Sequence, residues 1–230
     1  MSVRAALAAV GCAALLAATA VVGPAVPTAS AATYGCSIVI APTVWVDRPY
    51  KLIPATLGSD CAASGATWAD WTVRHSYYGP SDWFIFDGTR SESNAFYDWQ
   101  HYGTYYVEPD SAHDGDYNAL TQNTRSYVVK SGSAVGVSAT RLGSYVTMGT
   151  WATYYSPSAS GYRMWPRAKV QLQYRTCSRS TCAWTYLRNV YTASNGRATY
   201  RAYAPRTRYY RAVSASNSSI WGRTSGVIIR

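Results

Sequence analysis

The stretch Ala168-Lys-Val-Gln-Leu-Gln-Tyr-Arg175 is the part of the sequence that decides the fold. Val170, Leu172 and Tyr174 alternate with polar residues, which is the two-residue period of a β-strand with one buried face. No segment after Ala32 shows a convincing period of 3.6 residues, so the sequence predicts an all-β protein.

Residues 131–230 contain seven segments of this kind, rich in β-branched and aromatic residues and separated by Gly, Ser, Pro or Asn. They cover residues 134–140, 145–155, 168–176, 183–192, 197–203, 207–216 and 220–229. Asn195-Gly196 is a tight-turn signal between two of them, and Cys177 to Cys182 resembles a four-residue hairpin loop closed at its base. Seven short strands in 100 residues predict a β-sandwich.

Residues 32–130 repeat the pattern less regularly. The candidate strands are 36–40, 43–47, 50–56, 66–75, 82–87, 94–100, 104–108 and 125–130. The segment Gly103-Thr-Tyr105-Tyr-Val107 resembles the start of the strand that carries the tyrosine corner in immunoglobulin-like domains. Four tryptophans are expected to supply bulky core: Trp68, Trp71, Trp83 and Trp99. We therefore expect two sandwiches in tandem, 32–130 and 131–230, with limited relative motion because the junction near Ser131-Gly132-Ser133 is short.

Residues 1–31 are predicted to be a secretory signal peptide. A short positive start is followed by an apolar, Ala-rich run and by the small residues Ala29-Ser30-Ala31. Gly23-Pro24 interrupts the run, and no later segment approaches the roughly 20 apolar residues of a spanning helix. Cys12 leaves lipidation as an alternative. We expect a secreted, extracellular protein, with association with the cell wall as one variant of that location.

Four cysteines remain after the predicted cleavage, an even number that suits an oxidising compartment. Three pairings are open, and the sequence-local one joins Cys36 to Cys61 and Cys177 to Cys182. A zinc site is the weaker alternative, because Cys36 and Cys61 have no short-spaced partner and no His follows His113.

The charge is distributed very unevenly. Residues 32–130 hold 11 acids and 6 bases, a net −5, whereas residues 131–230 hold 14 bases and no acid, a net +14. Thirteen of those bases are Arg, whose guanidinium forks onto phosphate, sulfate and carboxylate groups. One interpretation is solubility or an Arg-rich composition, and the other is a surface that faces a polyanion.

Strand alternation points Lys169 and Arg175 away from the sandwich, and Arg188, Arg197 and Arg201 join them if their strands belong to the same sheet. The segment Arg206-Thr-Arg-Tyr-Tyr-Arg211 interleaves bases and rings. The predicted anion-binding residues are Lys169, Arg175, Arg188, Arg197, Arg201, Arg206, Arg208 and Arg211.

The segment from Glu108 to Asp116 is predicted to be a loop with four carboxylates in nine residues, those of Glu108, Asp110, Asp114 and Asp116. Three interpretations are open: a solvated turn, a calcium site built on carboxylate oxygens, and a contact with the basic half. The segment lacks the closing bidentate Glu of the helix-loop-helix calcium motif, and no other cofactor is expected.

The sequence contains no zinc helix, nucleophile elbow or phosphate loop. His75, His101 and His113 all lie in the acidic half. Asp98 and Glu108 are a pair of carboxylates of the kind that a glycosidase uses. We expect these residues to have packing or surface roles, and the protein to be no enzyme.

Four Tyr pairs put neighbouring rings on opposite faces of a strand, so that one ring of each pair points outward. The pairs are Tyr77-Tyr78, Tyr105-Tyr106, Tyr154-Tyr155 and Tyr209-Tyr210.

The signal peptide followed by two β-rich halves resembles secreted bacterial tandem Ig-like proteins of actinobacterial style. Tyr127-Val-Val-Lys130 leads into the second half, where the resemblance is carried by the 168–175 strand, Ala193-Ser-Asn-Gly-Arg197 and Thr207-Arg-Tyr-Tyr-Arg-Ala-Val213. The resemblance implies an immunoglobulin-like fold and an extracellular location. Such proteins share no single activity, so no functional residue carries over.

Together these features predict a secreted, non-catalytic protein whose basic C-terminal sandwich contacts an anionic polymer. Wall teichoic acid, acidic polysaccharide and extracellular nucleic acid all satisfy the same electrostatics. The alternative is a secreted protein-binding module, such as an inhibitor or a toxin-type protein, that docks through a loop. The oligomeric state is left open.

Overall fold

The computed structural model describes residues 35–179 and 181–230. The predicted leader, residues 1–31 with Cys12, lies outside the described residues. Nearly all regular structure is β, which confirms the predicted fold class. Among the described residues, no helix is both long and apolar enough to cross a bilayer.

Residues 35–131 form a sandwich of two sheets. Its strands are β1 (Ile38–Ile40), β2 (Thr43–Val46), β3 (Tyr50–Leu57), β4 (Ala66–His75), β5 (Gly79–Asp87), β6 (Ser91–Tyr97), β7 (Gly103–Asp114) and β8 (Arg125–Ser131). One sheet has the order β1-β3-β6 and the other β2-β8-β7-β4-β5. Only the β2–β8 pairing is parallel among these strands. This strand order is that of an immunoglobulin sandwich.

The first sandwich also has two side-chain hallmarks of that fold. Trp71 on β4 is fully buried and donates its indole N–H to the carbonyl of Asn123 (2.9 Å). Tyr105, near the start of β7, donates its hydroxyl to the carbonyl of His101 four residues upstream, which is the predicted tyrosine corner. Val107 occupies the position, two residues later, where antibody domains place a cysteine.

The second sandwich repeats the architecture. Its strands are β9 (Ser133–Leu142), β10 (Tyr145–Ser156), β11 (Gly161–Met164), β12 (Lys169–Arg175), β13 (Thr185–Tyr191), β14 (Arg197–Tyr203), β15 (Tyr209–Ser214) and β16 (Ile228–Ile229). One sheet joins β9, β10, β11 and β14, and the other has the order β13-β12-β15-β16. Val170 and Leu172 of the deciding stretch are buried between the sheets, as the alternation predicted.

Several predicted elements differ from the structure. The helix α1 (Ser59–Ala63) was not predicted, because five residues are too few to show a 3.6-residue period. The short strand β11 was also missed. The predicted strand 220–229 is wrong except at Ile228–Ile229. The rest is joined to neighbouring segments by isolated bridges at Ile220 and Thr224 and by separate backbone hydrogen bonds.

The prediction that four tryptophans fill the first core is wrong. Only Trp71 is fully buried, whereas Trp83 and Trp99 are 50% and 74% exposed. Trp83 occupies the outward position of β5, where alternation buries Phe84 and Phe86 instead.

The two sandwiches are tied together by hydrogen bonds at the junction. Trp221 donates its indole N–H to the carbonyl of Val44 on β2 (3.0 Å). Lys130 donates to the carbonyl of Asn217 (2.7 Å), and its ammonium lies 4.3 Å from the centre of the Trp221 ring. These contacts restrict the junction much more than a short linker would alone.

Candidate anion-binding site

Two of the predicted basic residues meet around an aromatic ring on the outer face of the β13-β12-β15-β16 sheet. In the register of β12 and β15, Gln173 is opposite Arg211 and Arg175 is opposite Tyr209. Arg175 and Arg211 are therefore diagonal neighbours on one face. Trp184, in the loop before β13, has the Arg211 guanidinium 4.2 Å and the Arg175 guanidinium 4.7 Å from its ring centre. We call Arg175, Trp184, Tyr209 and Arg211 the Trp184 cluster.

The disulfide loop holds Arg175 in place. Its two terminal nitrogens donate to the carbonyls of Arg179 (3.0 Å) and Ser178 (3.2 Å), while its Nε is buried and has no hydrogen-bond partner among the described residues. The guanidinium also lies 5.5 Å from the Tyr209 ring centre. Arg175 is thus fixed by uncharged backbone carbonyls rather than by a carboxylate.

Arg211 is fixed in a similar way. Its Nε donates to the side-chain oxygen of Gln173 (2.7 Å). Burial and the positive charge of Arg175 lower the pKa of Arg211 below its ordinary value. Both ion pairs found among the described residues involve Asp47 in the first sandwich, so neither arginine of the cluster is neutralised by one of them. An anion placed here would meet two cations that no carboxylate already occupies.

The prediction that Arg175, Arg197 and Arg201 share one basic face is wrong. The turn at Asn195-Gly196 joins β13 to β14, and β14 pairs with β10 in the opposite sheet. Arg197 and Arg201 therefore lie on the other outer face of the sandwich. Period-two alternation gives the side of a strand but not the sheet to which it belongs.

Among the described residues, the cation–π contacts of Trp184 involve Arg175 and Arg211 and none of the remaining predicted basic residues. Lys169 is on the same outer face at the far end of β12, opposite Tyr191. Arg188 lies over the Tyr200 ring (5.8 Å) and Arg208 over the Tyr174 ring (4.5 Å). Arg206 is exposed in the loop before β15, where its carbonyl accepts a bond from Arg141 (2.9 Å).

The predicted hairpin between β12 and β13 is present with a longer loop. Strand β12 ends at Arg175 and β13 begins at Thr185, and the Cys177–Cys182 disulfide lies inside the loop that connects them. The second predicted disulfide, Cys36–Cys61, is also formed, and both of its cysteines are buried in the first core. Sequence reasoning missed Trp184, whose loop position gives no periodic signal; its closeness to a basic strand was the only available hint.

The acidic segment is not the predicted loop. The strand β7 runs through Glu108 and Asp110 to Asp114 and pairs with β4. Asp114 accepts bonds from the side-chain amide of Asn118 and from the backbone N–H groups of Asn118 and Asp116 (all 2.9 Å), and these bonds lower its pKa. Nowhere in residues 35–179 or 181–230 do three His, Cys, Asp or Glu side chains lie close enough together to hold a metal ion.

The histidines and the carboxylate pair are engaged in structural contacts. The Nδ1 of the buried His75 accepts bonds from the backbone N–H groups of Tyr77 (3.1 Å) and Tyr78 (3.3 Å). The ring of His101 is stacked on Tyr78, with centroids 3.5 Å apart. Asp98 accepts the hydroxyl of Tyr155 (2.6 Å).

Glu108, His113 and the four predicted Tyr pairs also have defined positions in the structure. Glu108 is opposite Thr72 in the pairing of β7 with β4. His113 contacts the Tyr117 ring (5.0 Å).

The predicted placement of neighbouring Tyr rings on opposite faces of a strand is confirmed at three pairs, in each of which one ring is buried: Tyr105-Tyr106, Tyr154-Tyr155 and Tyr209-Tyr210. It is wrong at Tyr77-Tyr78, because both rings are exposed in a turn.

The strand order and the cluster define a class, a tandem immunoglobulin-like protein with an arginine and tryptophan surface. No family model and no curated protein matches the chain. Among solved structures, Salmonella alpha-2-macroglobulin reacted with methylamine matches with a TM-score of 0.40 and 11% identity, over 86% of this chain and 15% of that one. The D0-D1 domain of intimin matches with a TM-score of 0.28 and 11% identity, over 84% of this chain and 96% of that one.

The BSP domain of a biofilm-associated protein matches with a TM-score of 0.29 and 9% identity, over 84% of this chain and 28% of that one. The chain thus spans about 15% of the length of the macroglobulin. At these TM-scores the fold assignment rests on the strand order itself, and the function must be argued from the site.

Proposed function

We propose that this protein is an exported, non-catalytic binding module that holds an anionic polymer at the Trp184 cluster. The observation that carries the proposal is the contact of two arginines, Arg175 and Arg211, with one tryptophan, without an ion-paired carboxylate on either. Two disulfides fit an extracellular location, because such bonds persist in oxidising compartments.

The electrostatics favour an anionic partner. Burial, and after it the positive charge of Arg175 on the neighbouring strand, lowers the pKa of Arg211, so both effects disfavour its charged form. A phosphate, sulfate or carboxylate bound between the two guanidinium groups would remove this cost and gain charge-assisted hydrogen bonds. The net +14 of residues 131–230 would attract such a polymer from a distance.

Binding of the full mature chain to teichoic acid, polygalacturonate and duplex DNA tests the proposal. The variants are Arg211→Gln and Trp184→Ala, and the control is Arg163→Gln, an exposed arginine of β11 outside the cluster. We expect Arg211→Gln to weaken binding to at least one polymer by about tenfold and to reduce the salt slope by about one unit, whereas the control changes neither. Urea unfolding of each variant separates loss of binding from loss of fold.

Binding that Arg211→Gln and Trp184→Ala leave unchanged for every polymer, whether weak or strong, would contradict the proposal. In that case the Trp184 cluster is a packing feature of the hairpin.

A further inference from the structure

The outer face of the opposite sheet carries a second group of rings and arginines. Trp151 of β10 has Arg197 of β14 as its direct cross-strand neighbour, and Tyr145 of β10 has Tyr203. Arg201 lies between them on β14. All five side chains are exposed, with Trp151 at 41%, Tyr145 at 44% and Tyr203 at 63%. We call these five residues the Trp151 face.

The Trp151 ring is held against the sheet by a glycine. Gly136 of β9 is opposite Trp151, and a Cβ there would lie 2.3 to 2.5 Å from three atoms of the indole ring. Since real Cβ atoms do not approach so closely, any other residue would push the ring away. The indole therefore lies over Gly136 of β9, and the exposed part of Trp151 is a candidate stacking platform.

The other end of the Trp151 face is a second aromatic cluster. The Arg201 guanidinium lies 4.4 Å from the centre of the Tyr145 ring, and Tyr145 meets Tyr203 edge to face with centroids 5.6 Å apart. None of the ion pairs among the described residues includes Arg197 or Arg201. Each end of the face thus combines an exposed ring with an arginine that is available to an anion.

The surface between the two ends has short side chains and is polar. Tyr145 and Trp151 are six residues apart on β10, about 20 Å along the strand. The outward positions between them are Thr147 and Gly149, with Thr199 beside them on β14. The face is closed at one end by the first sandwich, because Tyr155 on the same side of β10 is buried in that core. An extended chain lying along the strands would contact both ends.

We propose that the Trp151 face binds an acidic polysaccharide, with sugar rings stacked on Trp151 and Tyr145 and acidic groups on Arg197 and Arg201. The two arginines are four residues apart, about 14 Å, so the face suits a polymer whose charged groups are spaced well apart along its chain. Nucleic acid is the weaker fit, since its affinity depends on many cations that neutralise closely spaced phosphates. Hydroxyls of Thr147 and Thr199 can bond to sugar hydroxyls between the rings.

This inference concerns a different sheet from the Trp184 cluster and does not depend on it. The binding assay therefore uses the full mature chain carrying Arg211→Gln, in which the Trp184 cluster is impaired. Polygalacturonate is the probe, with dextran as the neutral polymer and single-stranded oligo(dT) as the nucleic acid. The variants are Trp151→Ala, Gly136→Val and Arg197→Gln, and Trp83→Ala is the matched control for removing an exposed tryptophan.

Gly136→Val is the sharpest variant, because it keeps Trp151 and every charge but displaces the ring. We expect Trp151→Ala and Gly136→Val each to weaken polygalacturonate binding by about tenfold, roughly the contribution of one aromatic contact. Trp83→Ala should have no effect, and dextran should bind more weakly than polygalacturonate. Thermal unfolding checks that each variant is folded.

Two results would overturn the inference. One is polygalacturonate binding that Trp151→Ala and Gly136→Val leave unchanged in folded protein. The other is tighter binding of oligo(dT) than of polygalacturonate that also depends on Trp151, which would make the face a nucleic-acid site. If the Trp184 cluster fails its own test, Arg211→Gln is simply silent, and the two proposals remain distinguishable.

Discussion

Tyr155 is the residue that links the two sandwiches most directly. It belongs to β10 of the second sandwich, yet its ring is buried in the core of the first. Its hydroxyl donates to the carboxylate of the buried Asp98 at 2.6 Å. Burial and the bond to Asp98 raise the pKa of Tyr155 well above its ordinary value, so the hydroxyl remains a donor throughout the neutral range.

Replacing Tyr155 by Phe should therefore destabilise the protein. The change leaves the Asp98 carboxylate buried without its donor, and an unpaired buried acceptor costs about 1 to 3 kcal/mol. The control is Tyr106→Phe, which alters a ring that is 42% exposed on β7. Urea unfolding at neutral pH measures both, and equal stability of the two variants would show that the Asp98 bond contributes nothing.

A strand could be predicted from the sequence where buried and exposed residues alternate along it. The strand 66–75 was predicted with its observed bounds because its buried positions recur every second residue. The extension of β7 beyond residue 108 was missed because Pro109 and the carboxylates are typical of loops. The structure accommodates Pro109 opposite Trp71, where a shift in register marks a β-bulge, one of the few places a sheet tolerates proline.

The candidate sites were harder to predict than the strands. Alternation placed Arg175 on the outer side of its strand, but the diagonal pairing with Arg211 depends on the register of β12 and β15. That register is set by contacts between strands about 35 residues apart in sequence, which no local pattern records. Arg197 and Arg201 went to the other sheet for the same reason.

The two disulfides should differ in what they contribute to stability. They close loops with sequence separations of 25 residues (Cys36–Cys61) and 5 residues (Cys177–Cys182). The chain-entropy model assigns the first about 3.5 kcal/mol and the second about 2 kcal/mol. Replacing both cysteines of each pair by Ser, followed by urea unfolding, should therefore show the larger loss for Cys36 and Cys61.

Burial adds to this difference, because Cys36 and Cys61 lie in the first core whereas the second bridge is in a surface hairpin. A larger loss of stability for the Cys177 and Cys182 variant would contradict the assignment and would mean that the hairpin loop carries more of the fold than its contacts suggest.

At the scale of the whole molecule, the charge is separated along the chain, while none of the ion pairs among the described residues joins the two sandwiches. The junction bonds of Trp221 and Ser131 join backbone and side-chain groups without an acid on either side. The basic sandwich can therefore present both of its outer faces without relying on ion pairs to the acidic one. This separation leaves the arginines free to bind a partner. The stability of the fold then depends on the burial of side chains, including those of several tyrosines.

Alkaline pH should unfold the protein through those tyrosines. Burial raises the pKa of Tyr105 to about 12 from an ordinary value of 10.0, and it also raises the pKa values of Tyr102, Tyr127, Tyr155 and Tyr210. A group with a raised pKa in the folded state contributes its full stabilisation below its unfolded pKa. That contribution is lost as the pH rises, because the unfolded chain releases its protons first.

We therefore expect the urea midpoint to be flat up to about pH 9 and to fall steadily between about pH 10 and about 12. Absorbance at 295 nm, which reports tyrosinate, should show the buried rings with raised pKa values ionising only together with the unfolding transition. Tyr105→Phe should make the fall less steep, since it removes one of the linked groups. If all tyrosines ionised near pH 10 while the protein stayed folded, the buried rings would have to be accessible to hydroxide, and burial could not be what holds their protons in place.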